Sequence, residues 1–156
     1  INQQYPKTQE LKTLIGEQVE FQDDVMISVL KHRIWDDKEA NDFYDENEEE
    51  QIYETKILEV VIELKNKSAI EKEIHLYNLY LESMGFKNGV MNIQVISSDI
   101  RDRAVQKLQP NEVRTIEMLY EILLYQFPKS DWDKLEAYDM WLTFALYPEK
   151  KMLLLK

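Results

Sequence analysis

The chain has 156 residues, which suits one domain, and a chain of that length buries enough surface to fold without a metal or a disulfide. Its residues are 44% apolar and 31% charged, a globular balance that excludes a disordered or fibrous protein. Thirty acidic residues against 19 basic give a net charge of -11, which argues against nucleic acid as a partner and against charge-driven binding to anionic lipid.

The chain contains no Cys, so disulfides, thiolate metal sites and a catalytic thiol are excluded. It opens at Ile1 without an initiator Met. The expectation is therefore a trimmed or processed product, with a signal or membrane anchor removed upstream. No apolar run approaches the roughly 18–20 residues of a membrane helix; runs such as 122–125 and 152–155 reach only four residues.

The polar stretch 1–16 reads as a spacer, and 17–156 as one domain. From there the apolar residues recur mostly with period two, the mark of half-buried strands. Val19 and Phe21 alternate with polar residues, and Asp23 and Asp24 make a turn. Val25, Ile27 and Val29 then lead on towards Ile34 and Trp35. The clearest strand is 57–65, with Leu58, Val60, Ile62 and Leu64 on one face. Residues 74–81 read as another strand, partly covered on both faces. Asn88-Gly89 is a strong turn signal, with Gly85 at its other side and a strand over 90–96. In 97–109 the spacing of Ile100, Ala104, Val105 and Leu108 suggests one or two helical turns ending at Pro110.

A strand over 113–123 follows, with Ile116, Met118, Tyr120 and Ile122 on one face. Ser130 is placed to cap a single helical turn over 130–136. Residues 138–146 form the second very clear strand, with Trp141 in the opposite phase to Met140 and Leu142. Residues 148–150 turn the chain into a last strand over 152–155. With no βαβ alternation, the pattern predicts an all-β, antiparallel sandwich of about seven to eight strands and one or two short helical turns.

Residues 36–50 form an acidic insertion. Nine carboxylates there face one base, Lys38, so the segment carries -8 and the rest of the chain only -3. Three readings compete. The first is a solvated loop, with a short helix starting near Asp36 and Ala40, Phe43 and Tyr44 as its apolar side. The second is a patch that attracts a cationic peptide or protein, with Asp42, Asp45, Glu46, Glu48, Glu49 and Glu50 as its contact residues. The third is a Ca²⁺ site. Asp45, Asn47 and Glu49 have the spacing of the first EF-hand ligands, but Glu50 and Lys56 stand where the loop needs Gly and Glu.

Catalytic signatures are missing. His32 and His75 lie far apart, each in a strand; there is no HExxH and no GxSxG, and the three glycines cannot make a phosphate loop. The expectation is a protein that is not an enzyme and takes no cofactor or metal. Among the aromatic residues, Tyr125, Phe127 and Trp132 fall in one loop. They read either as a minor core beneath it or as a contact surface for a partner or a sugar ring, with Trp132 as the binding residue.

Three pieces then occur in order: Val60-Val61-Ile62-Glu63-Leu64-Lys65-Asn66-Lys67-Ser68, a strand ending in an Asn-x-Ser turn; Leu108-Gln109-Pro110-Asn111-Glu112, a turn into a strand centred on Tyr120; and the late strand 138–146 with its proline turn. Together, over roughly 17–156, they resemble the immunoglobulin-like β-sandwich domains of unknown function in lipoproteins and membrane-anchored surface proteins of Gram-positive bacteria. The resemblance implies an extracytoplasmic, membrane-anchored or cell-surface location. It also implies an association with a transporter or a bacteriocin-immunity system, and the local charge of -8 gives the expected role, a non-enzymatic protein- or peptide-interaction module that binds a basic peptide. A carbohydrate-binding domain and a structural or oligomerisation spacer are the alternative readings.

Overall fold

The computed structural model describes residues 8–46, 54–83, 104–145 and 148–156. The turn at Asn88-Gly89, Gly85 and the strand over 90–96 lie outside the described residues, as do Glu48, Glu49 and Glu50.

Ten strands are described: β1 (Gln9–Thr13), β2 (Val19–Gln22), β3 (Val25–Ile34), β4 (Thr55–Asn66), β5 (Lys72–His75), β6 (Tyr80–Ser83), β7 (Val105–Leu108), β8 (Val113–Leu123), β9 (Met140–Phe144) and β10 (Glu149–Leu154). One helix, α1, spans Asp37–Glu46. One sheet runs β2-β3-β4-β8 and a second runs β1-β10-β9-β6, while β5 and β7 form a separate pair. The fold is a β-sandwich, as the period-two pattern predicts.

Its core forms where the alternating apolar residues of β4 and β8 face those of β9 and β10. Val60, Ile62 and Leu64 on β4, Tyr120 on β8, and Leu142 on β9 are fully buried. Each such aliphatic side chain contributes about 1.5–3 kcal/mol on leaving water. All five residues of β9 are buried, so Trp141 covers the second face of its sheet. The turn from Gln109 to Glu112 places Asn111 at a φ of 63° after Pro110, the backbone of a type II corner, and Asn tolerates that left-handed position.

The structure corrects several expectations. Residues 9–13 are not spacer. They form β1, which pairs with β10 in parallel, so the sandwich is not wholly antiparallel. Four of the five β1 residues are exposed, leaving no apolar period to reveal the strand. The expected strand 74–81 is split, because a 3₁₀ turn at Leu76–Asn78 carries the chain from β5 to β6. Val105–Leu108 is strand rather than helix, held by pairing with β5 across a long separation. Ser130 does not cap a helix: the 3₁₀ segment Lys129–Ala137 starts after Pro128, and the Ser130 hydroxyl bonds the Asp131 carboxylate instead.

Candidate functional site

The chain from Leu30 to Glu46 forms an acidic helix and contributes one wall of an apolar groove. A register shift between Val29 and Lys31 sets both. Before it, Val25, Ile27 and Val29 face the core. Leu30, the extra residue, is 40% exposed. After it the phase inverts, as a bulge requires. His32 pairs with Val60 and Ile34 with Leu58, so both take the core side, while Arg33 pairs with Glu59 on the outer face.

Arg33 then ties the helix to the sheet. Its Nε donates to Glu59 at 2.7 Å and its Nη1 to Glu39 at 2.9 Å, and the guanidinium lies over the Trp35 ring. The Glu39 bond, with Glu59 beside it, raises the Arg33 pKa further above its ordinary value. Glu39 is held below the usual carboxylate range, first by Arg33 and then by the Asp36 backbone N–H. Asp36 caps α1: its carboxylate accepts from the Glu39 N–H at 2.8 Å, and Glu39 reaches back to the Asp36 N–H at 3.2 Å. This reciprocal arrangement is a capping box. Ala40 and Tyr44 are buried beneath the helix, and the Tyr44 hydroxyl bonds Glu121 on β8. The first reading of the insertion, a short helix starting near Asp36 with Ala40, Phe43 and Tyr44 on its apolar side, matches this part of the structure.

The helix acids divide by position. Asp37 pairs with Lys56 at 2.9 Å, Glu39 with Arg33, and Asp42 with Lys38 at 2.6 Å. Asp45 and Glu46 are exposed in the last turn, which holds no basic residue. The helix dipole disfavours negative charge at that end. Among the described residues no group of His, Asp and Glu is arranged to hold a metal ion.

The groove opens where the ends of the two sheets meet the 3₁₀ segment 129–137. It encloses about 350 Å³ and is lined by Ile34, Leu58, Leu135, Tyr138, Met140 and Leu155, with His32, Arg33 and Glu136 at its rim. The 3₁₀ wall is braced from within. The Tyr138 hydroxyl donates to Asp131, which lowers the Asp131 pKa and raises that of Tyr138. Phe127 meets Tyr138 edge to face. Trp132 is half-buried against the core, its Nε1 donating to the Phe127 carbonyl at 3.2 Å and the Lys129 ammonium over its ring. Phe127 and Trp132 thus make the minor core rather than an open aromatic platform. His75 is exposed on β5 beside Glu73, on a different element pair from His32.

Sequence reasoning identified the acids of α1 but not the groove. Its residues come from β3, β4, β9, the 3₁₀ segment and the C-terminal end, and no local spacing links them. The register shift at Leu30, which puts His32 and Ile34 at the groove, has no signature in the alternation.

No curated protein matches the chain. Among solved structures, an uncharacterized β-sandwich protein from Clostridium difficile 630 superposes with a TM-score of 0.55 at 10% identity, covering 98% of this chain and 99% of that one. At that identity the likeness extends to the fold alone. The family model described as "Domain of unknown function (DUF5028)" matches residues 2–151, nearly the whole chain, and the protein belongs to that family.

Proposed function

We propose that this β-sandwich is a non-enzymatic interaction module that works outside the cytoplasm and receives a cationic peptide or protein segment at the C-terminal end of α1. The observation that supports the reading is the division of charge along the helix. Asp37, Glu39 and Asp42 are neutralised by neighbours, whereas Asp45 and Glu46 have no counter-ion among the described residues, at the end where the helix dipole makes them costly. In sequence they lead directly to Glu48, Glu49 and Glu50. Charge kept where it lowers stability fits a role in meeting a partner. Clustered charge of one sign speeds the encounter with its opposite and is screened by salt over about 8–10 Å. A transporter or bacteriocin-immunity accessory would meet such basic segments.

The test is calorimetric titration with a Lys-rich peptide at low and high salt, using the wild type and a variant with Asp42, Asp45, Glu46, Glu48, Glu49 and Glu50 changed to Asn or Gln. Affinity should fall with salt and largely vanish in the variant. Binding indifferent to both changes ends the electrostatic reading.

A further inference from the structure

We propose that the groove beside α1 holds an apolar side chain of that same cationic segment, and that a basic residue next to it in the segment pairs with Glu136. This inference rests on the reading of the acidic helix given above and specifies the partner's sequence character: basic residues alternating with large apolar ones.

The groove's volume of about 350 Å³ lies at the lower end of the roughly 300–1,000 Å³ typical of ligand sites. That is room for one or two large side chains. Its floor is aliphatic, and an apolar anchor in a preformed pocket is the usual energetic centre of a small interface. The wall is rigid, since Tyr138 is bound to Asp131 and the 3₁₀ segment is pinned by the Trp132 bond to the Phe127 carbonyl. An occupant would not have to order it.

The rim decides the sign of the partner's charge. Arg33 is the permanent cation there, and two carboxylates, Glu39 and Glu59, already hold it. Glu136 is exposed and has no hydrogen-bond or ion-pair partner among the described residues. With the Arg33 charge balanced in this way, Glu136 is the unpaired permanent charge among the described lining residues. An apolar group carrying a carboxylate would meet repulsion, and one followed by a Lys or Arg would meet Glu136. Arg33 bonds Glu39 of α1 and also lines the groove, so the helix and the groove meet at this residue.

The experiment uses methyl-labelled protein at low salt and three short synthetic peptides, alternating Leu–Lys, Ser–Lys and Leu–Glu. The Leu–Lys peptide should bind at least about tenfold more tightly than Ser–Lys and shift the methyl signals of Leu58, Leu135, Met140 and Leu155. Glu136→Lys, a surface change, should weaken Leu–Lys binding severalfold. If Ser–Lys binds as tightly as Leu–Lys with those methyls unmoved, the groove inference falls and the acidic-helix reading stands. If the Leu–Glu peptide moves the methyls as strongly, the assignment of a cationic occupant is overturned. If neither Lys peptide binds, the acidic-helix reading falls and takes this inference with it.

Discussion

Asn66 shows how one polar side chain closes a loop of this sandwich. It is fully buried at the end of β4. Its amide donates to the carbonyls of Ile70 at 2.8 Å and of Leu108 and Gln109 at 3.1 Å, and its carbonyl oxygen accepts from the Ser68 N–H and hydroxyl at 2.9 and 2.6 Å. The 67–70 turn and the β7 end thus meet at this one side chain on the main sheet. Asn66→Ala removes all of these bonds; the Ile70 and Gln109 carbonyls keep the Ser68 hydroxyl and the Glu112 N–H, while the buried Leu108 carbonyl loses its Asn66 donor, a lost partner there costing about 1–3 kcal/mol. The expected loss is about 3 kcal/mol in urea denaturation. Asn66→Asp should fare no better, because a carboxylate supplies no donor and faces three carbonyl oxygens. A loss below about 1 kcal/mol for Asn66→Ala would show that water replaces the amide. The Asn-x-Ser pattern marked this place as a turn. That the Asn is the buried hub of it depends on β7, more than 40 positions away, and could not be read locally.

Helix α1 illustrates a conflict between stability and charge. Its N-terminal end obeys the rules for helices, with an Asp36 cap and acids in the first turn. Its C-terminal end violates them with Asp45 and Glu46. Changing both to Asn and Gln should therefore raise stability, by about 0.3–1 kcal/mol per charge removed, while weakening the proposed cationic partner's binding. Thermal denaturation of the variant checks the first half. A fall in melting temperature would mean that these acids hold the structure together instead. The helix was legible as an alternative because Ala40, Phe43 and Tyr44 keep helical spacing amid the acids. The strands β4, β8 and β9 were legible because long apolar alternation has few other solutions. Where tertiary pairing overrides local pattern, as in β1 and β7, the sequence carried no comparable signal. An exposed edge strand needs no apolar face, and Val105–Leu108 is short enough to fit either period.

The two main sheets are joined not only by apolar contact but by one directed bond through the core. Tyr120, on β8, is fully buried, and its hydroxyl donates to the Leu79 carbonyl at 3.0 Å, just before β6 of the opposite sheet. Burial pushes its phenol far above the ordinary tyrosine value. The linkage follows from that direction. The unfolded phenol ionises near pH ~10, so Tyr120 adds its full stabilisation below that pH and loses it progressively as pH rises further. Tyr120→Phe keeps the ring and removes the bond, leaving the Leu79 carbonyl unpaired inside the core. It should cost about 1–2 kcal/mol at neutral pH and flatten the alkaline fall in stability. Among the nine tyrosines, Tyr120 should ionise only as the sandwich opens. Its phenolate absorbance should then appear together with the loss of strand circular dichroism, and Tyr120→Phe should lack that coupled step. If the wild type and the variant give superimposable alkaline titrations while both remain folded, the two sheets are not tied through this phenol, and apolar packing holds the core between them.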